Sequence, residues 1–170
     1  SQVNEISDEI ADAFIYRTNA AALSNMVELV KIGREPRLEV DTGSLLKNIE
    51  DAKKVKSGIK VHDGSVFEGF SNWEEVIEYT NEVSGNDLKA LVSLINKVGE
   101  EALISSLLKS NSSDYDCIVT TAHKSKGLEF NKVKLGGDFF YKEAAAPGEK
   151  ILTEDEARLL YVAATRAKKQ

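Results

Sequence analysis

The chain has 170 residues, 42% hydrophobic and 29% charged, enough for one globular domain with a core or one domain carrying a small insert. Its 22 basic and 28 acidic residues give a net charge of −6, which excludes a generally basic nucleic-acid binder but leaves room for a local basic track. No apolar run reaches the roughly 18 residues of a membrane span, and one cysteine with two distant histidines offers neither an internal disulfide nor a zinc ligand set.

The first residues show no charged-then-apolar leader, so a reducing, non-secreted setting is expected. Residues 10–16 form a short apolar, aromatic run that predicts a buried strand. A helix over 20–32 follows from Leu23, Val27 and Val30 at helical spacing, with Gly33 as its C-cap. Residues 37–40 alternate like a strand, and strand, helix, strand at this spacing predicts an α/β unit with a right-handed crossover.

The stretch 43–113 changes character and is expected to be a small, mostly helical insert. It interrupts an α/β domain made of 1–42 and 114–170. Helices are predicted over 44–55, 72–82, from about 87 with Leu88, Leu91, Val92 and Ile95 on one face, and over 100–109 with Leu103, Leu107 and Leu108 inward. Ser71 and Glu74 read as a capping box. Residues 59–70, with glycines at 58, 64 and 69, are expected to form a hairpin or a loop. The insert is acidic: Glu74 to Glu101 holds seven acids and two lysines.

Residues 117–121 predict a second buried strand, with Cys117 as a small core residue rather than a nucleophile. Residues 132–135 predict a third, half-exposed or at an edge, and 142–150 a loop. A capping box at Thr153–Glu156 starts a final helix with Ala157, Leu160, Tyr161 and Ala164 as its apolar stripe. A closing strand would be expected beyond Gln170, so the chain is read as a piece of something longer.

Chemistry concentrates in the last third, where Cys117 to Gly136 carries four lysines and one acid. Thr121, His123, Lys124, Ser125 and Lys126 set hydroxyl, imidazole and ammonium groups just past a strand end. That pattern suits a phosphate backbone, although a basic surface loop is the plainer alternative. Glu129, two residues after Gly127, could accept hydrogen bonds from a ribose hydroxyl, with the glycine allowing a close approach. Alone, such a glutamate is more often an ion-pair partner. Arg166, near a helix end and off the apolar stripe, offers a planar fork for a phosphoryl oxygen, or is a surface arginine favoured by the helix dipole. Arg17 follows a strand where parallel sheets bind ligands, and is either a second phosphate contact or a loop arginine paired with a carboxylate. Phe139, Phe140 and Tyr141 suit base stacking or the core.

Three runs together resemble the UvrD/Rep family of superfamily 1 DNA helicases. Tyr16-Arg17-Thr18-Asn19 is similar to that family's motif IV, Thr121 to Phe130 to its motif V, and Glu154 to Ala167 to its motif VI, with Ala157 where the family has an arginine. The short insert, with Val66-Phe67-Glu68-Gly69-Phe70, looks more like the F-box DNA helicase branch. The resemblance implies a RecA-like parallel sheet with flanking helices, serving as the second motor domain (2A) of an ATP-dependent, 3′-to-5′ helicase with a reduced 2B-like insert. It implies that Arg17 and Arg166 reach the γ-phosphate of ATP with magnesium, held mainly by an N-terminal motor domain. Gly127 and Glu129 would meet the nucleotide, and Thr121, His123, Lys124, Ser125 and Lys126 the DNA. It further implies single-stranded or duplex DNA as partner, no membrane, and an intracellular site of action. The sequence contains no phosphate loop and no acidic pair for magnesium, so the chain is expected to be inactive alone. Two rivals remain: a nucleic-acid-binding module without catalysis, and a protein-interaction domain using the acidic insert.

Overall fold

The computed structural model describes residues 7, 8, 10–83, 87–139, 141–143, 150–152 and 154–168. The chain divides into two compact units, one of Ser1–Val40 with Ser112–Gln170 and one of Asp41–Asn111.

The first unit is an α/β layer. Strands β1 (Ala13–Tyr16), β2 (Pro36–Glu39), β3 (Cys117–Thr121) and β4 (Val133–Leu135) form a parallel sheet in the order β2-β3-β1-β4. The central strands β1 and β3 form because their largely apolar runs are buried on both faces. Phe14 and Ile15 are fully buried and point to opposite faces by strand alternation. Each such side chain contributes about 1.5–3 kcal/mol of burial. The predicted strand over 10–16 is shorter than expected, because Ala11 and Asp12 approach β1 as irregular chain. Strand β4 lies at the sheet's end, in keeping with its lysine-apolar alternation.

Parallel pairing demands crossover connections. Helix α1 (Asn19–Lys31) makes the first and packs along β1, β2 and β3. Thr18 caps it, accepting from the Ala21 N–H at 3.1 Å, and Gly33 leaves it at φ +85°, a conformation glycine adopts without steric cost. Cys117 is buried, and burial with the Asp116 hydrogen bond pushes its thiol up to about 12, so it is an inert core group.

The loop expected over 142–150 is corrected at both ends. Strands β5 (Tyr141–Glu143) and β6 (Lys150–Leu152) pair antiparallel. Three-residue strands are too short to announce themselves by periodicity. The capping residue Thr153 and the aromatic Phe140 lie outside the described residues, as does the Tyr141 side chain. Helix α6 (Glu154–Ala164) turns a different stripe inward from the expected one. Leu159, Leu160 and Ala163 pack on Ile15, Ala122 and Phe139, while Tyr161 is 71% exposed. Two apolar stripes share Leu160, and the one with the larger aliphatic surface is buried.

The second unit holds α2 (Thr42–Lys56), α3 (Trp73–Glu82), α4 (Asp87–Val98) and α5 (Glu100–Lys109). Its caps differ by one residue from the expected box. Asn72, not Ser71, accepts the Glu75 N–H at 3.0 Å, and Glu75 reaches back to the Ser71 N–H at 2.8 Å. Leu108 is 72% exposed, so only Leu103 and Leu107 of the expected α5 trio are core. Residues 59–70 contain no strand and run as turns. They are pinned by Asp51, a buried carboxylate on α2 that accepts from Ser65 Oγ at 2.8 Å and Lys54 Nζ at 3.2 Å and meets His62 Nε2 at 3.1 Å.

A Cβ at Gly136 would stand 2.6 Å from Tyr16 Cε1 and closer still to Cδ1, whereas Gly137 has no atom within 4 Å. Gly136→Ala should therefore cost about 1–3 kcal/mol in urea denaturation, with Gly137→Ala as the neutral control. A loss at both positions alike, or at neither, would contradict the close contact. For Asp51, burial pushes the carboxyl up, but the Ser65 and Lys54 hydrogen bonds and the Lys54 and His62 charges outweigh it and hold it below 3.8. Its contribution is therefore present above the unfolded value and lost as pH falls through the lower folded one. Asp51→Asn should flatten the acid limb of the stability profile below about pH 4, measured by denaturant unfolding from pH 3 to 7.

Candidate functional site at the carboxyl edge of the sheet

All four strands run the same way, so their C-terminal ends share one edge. Strands β1 and β3 are neighbours there, with Tyr16 opposite Thr121. The chain leaves β1 toward β2 and leaves β3 toward β4, in opposite directions across the sheet. Such a divergence opens a crevice where parallel α/β sheets bind ligands.

The turn after β3 is built by its own backbone. The Ser125 N–H donates to Thr121 O at 2.9 Å and the Leu128 N–H to Ser125 O at 3.0 Å. Ala122 N–H donates to Tyr16 O at 2.9 Å, which joins this turn to the end of β1. Gly127 has φ +82° with no atom near a would-be Cβ, so backbone conformation is what calls for glycine here. His123, Lys124, Lys126 and Glu129 are exposed.

Two residues expected to touch a nucleic-acid strand face inward instead. Ser125 is fully buried and donates its hydroxyl to Ala122 O at 2.9 Å. Thr121 is 4% exposed, and its hydroxyl accepts from the Lys124 N–H at 3.4 Å. Both shape the turn, and the exposed donors are His123, Lys124 and Lys126. A polar residue within a polar run gives no sequence signal of facing inward.

Arg166 lies in the turn after α6, not within the helix. Its Nε donates to Val162 O at 3.0 Å, Nη1 to Leu128 O at 3.4 Å and Nη2 to Thr165 Oγ1 at 3.1 Å. A guanidinium carries more N–H groups than these contacts use, so it is oriented without being consumed. The main chain adds a second tie: the Phe130 N–H donates to Arg166 O and the Lys168 N–H to Phe130 O, both at 2.8 Å. Phe130 and Ala167 form a parallel bridge.

Arg17 is half-buried directly after β1. Its N–H donates to Asp138 Oδ1 at 2.9 Å, and Thr18 donates to Asp138 Oδ2 through its N–H at 2.8 Å and its hydroxyl at 3.0 Å. Asp138 was not foreseen. Its sequence signal is a Gly-Gly-Asp run after a predicted strand, and its partners Arg17 and Thr18 lie 121 and 120 residues away. Burial, then the Asp8 and Asp138 charges, push the neighbouring Tyr16 phenol up to about 12, so it stays neutral. Phe139 is core, 4% exposed. Among the described residues no group of three or more histidines, cysteines or carboxylates could hold a metal ion, and no helix is long and apolar enough to cross a membrane.

A four-stranded parallel sheet with packed helices and its loops gathered on one edge is consistent with a RecA-like helicase C-terminal domain. The chain belongs to the UvrD-like helicase C-terminal domain family, whose model matches residues 3–170. It is similar to F-box DNA helicase protein 1 of Schizosaccharomyces pombe, 29% identical over 92% of this chain and 20% of that protein. It is similar to F-box DNA helicase 1 of Gallus gallus, 28% identical over 69% of this chain and 13% of that protein. A third relative, named "Putative ATP-dependent DNA helicase YjcD", from Bacillus subtilis, is 40% identical over 35% of this chain and 9% of its own length. The aligned regions thus span at most about a fifth of these relatives.

One consequence concerns stability. Ser125→Ala should cost about 1 kcal/mol in thermal or denaturant unfolding, because the Ala122 carbonyl loses its buried hydroxyl partner. Lys126→Ala should stay within about 0.5 kcal/mol of the parent. Equal effects would contradict the inward placement of Ser125.

Proposed function

We propose that this chain is the second motor domain of an ATP-dependent DNA helicase or translocase, with 3′-to-5′ movement by analogy with the UvrD/Rep family. In this reading Ser1–Val40 with Ser112–Gln170 is the motor unit and Asp41–Asn111 a reduced 2B-like insert. The observation that carries it is the tie of Arg166 to the segment after β3, through the Phe130 N–H to Arg166 O and Arg166 Nη1 to Leu128 O, on the same unit as Arg17 at the end of β1. The DNA helicase names of the similar proteins support the same class.

The residues present fit half of a nucleotide site. Arg17 and Arg166 supply guanidinium groups suited to phosphoryl oxygens, and exposed Glu129 supplies an acceptor for a sugar hydroxyl. ATP with magnesium, held mainly by an N-terminal motor domain, supplies the transferable γ-phosphoryl. Exposed His123, Lys124 and Lys126 face the phosphates of a DNA strand, while Thr121 and Ser125 fix the turn that presents them. The strand contact and the arginine then belong to one stitched segment, so a shift at either is felt at the other. The site of action is intracellular, where DNA and ATP are both available.

In the full-length parent, Arg166→Ala should leave single-stranded DNA affinity within about twofold and reduce ATP turnover by about 10³-fold. Unchanged turnover would remove Arg166 from the chemistry. The isolated 170 residues should show no magnesium-dependent hydrolysis. A rate that survives Arg166→Ala in the isolated chain would overturn the half-site reading. DNA binding without turnover in the parent would point to a non-catalytic module.

A further inference from the structure

We propose that Asp138 is a positioning residue for Arg17: its carboxylate occupies the anion seat at the head of α1 and sets the backbone from which the Arg17 guanidinium extends. This rests on the motor-domain reading above.

The turn from a β-strand into a helix presents N–H groups that favour a negative charge. Here the strand is β1, the helix is α1, and the charge comes from the protein itself. Both carboxylate oxygens of Asp138 are used. Oδ1 accepts from the Arg17 N–H at 2.9 Å, and Oδ2 from the Thr18 N–H at 2.8 Å and the Thr18 hydroxyl at 3.0 Å. The same hydroxyl accepts from Ala21 N–H at 3.1 Å, so the helix cap and the carboxylate form one chain of bonds. Asp138 cannot drift, because the segment before it is fixed. The Gly136 N–H donates to Ile15 O at 2.7 Å, the Tyr16 ring fills the space where a Gly136 side chain would sit, and Phe139 is buried after it.

Two consequences follow from this geometry. The N–H groups of Arg17 and Thr18, where β1 passes into α1, are taken by an internal anion. The direction of the Arg17 backbone is also held by charge-assisted bonds, which are shorter and stronger than neutral ones. Loss of that hold leaves Arg17 present but misplaced, and displacement of about 1 Å at a reacting group can cost about 100-fold in rate.

The test uses the full-length parent, with steady-state ATP hydrolysis on single-stranded DNA and DNA affinity measured separately. Asp138→Ala should lower kcat by about 10- to 100-fold with DNA affinity within about twofold. Asp138→Asn, which retains one oxygen acceptor, should fall between Asp138→Ala and the parent; it decides the question where the alanine variant does not fold. The double variant Arg17→Ala with Asp138→Ala should be no slower than Arg17→Ala alone, because the carboxylate acts through that arginine. A role confined to stability would lower the melting temperature and leave kcat at a safe temperature unchanged, and a kcat loss that multiplied with that of Arg17→Ala would act by a route other than that arginine; an unchanged kcat or a multiplied loss would each overturn the proposal. If Arg17→Ala itself leaves turnover unchanged, the phosphate role of Arg17 fails, and this inference with it. If Arg17→Ala collapses turnover while Asp138→Ala and Asp138→Asn both keep the parent's kcat, this inference alone fails.

Discussion

Strand β1 is hydrogen-bonded along both sides, to β3 over Ala13–Tyr16 and to β4 over Ala13–Ile15. The arrangement at the functional edge depends on that double pairing. A parallel strand flanked on both sides cannot slide without breaking two ladders, and a slip of one residue would exchange Phe14 and Ile15 between faces. The register therefore fixes where β1 ends, and with it the level at which Arg17, the turn after Thr121 and the Gly136–Asp138 segment emerge side by side. Beneath them one apolar cluster of Ile15, Ala122, Phe139 and Ala163 joins β1, the turn, the post-β4 segment and α6. Positions far apart in sequence are thus held on a common floor.

The exposed side chains and the buried ones on this edge divide the work. Buried Thr121 and Ser125 spend their hydroxyls on backbone partners, and Thr18 divides its own between the Ala21 N–H and the Asp138 carboxylate, and so they define the loops. Exposed His123, Lys124 and Lys126 extend from loops already fixed. This division costs little, since a buried hydroxyl that finds an acceptor escapes most of its desolvation penalty. It also concentrates positive charge locally on a chain whose net charge is −6.

Much of the fold was legible because its signals are local. Helix α5 and strand β3 lie where periodicity and apolar runs put them, and Gly33 leaves α1 in the left-handed region as a C-cap glycine does. The errors share a different cause. The inward stripe of α6, the inward turn of Ser125 and the exposure of Leu108 each depend on what packs against the element, which helical spacing does not specify. The hairpin of β5 and β6 is too short for a period. At the candidate site, the basic turn and both arginines stand out as residue types in a pattern. Asp138 and Gly136 do not, because their importance lies in contacts with Arg17, Thr18 and Tyr16 that close across more than a hundred residues of chain.

The bridge between Phe130 and Ala167 has a consequence for how variants report on this domain. Its hydrogen bonds come from the main chain, with Phe130 held by Arg166 O on one side and by the Lys168 N–H on the other. No change of side chain at 166 removes them. Truncating that arginine deletes its charge and leaves the main-chain bonds in place, whereas a proline at 130 would remove the bond to Arg166 O and keep the arginine's charge, since proline has no N–H to give. Electrostatics and mechanical linkage at this junction are therefore separable by choosing which atoms to erase.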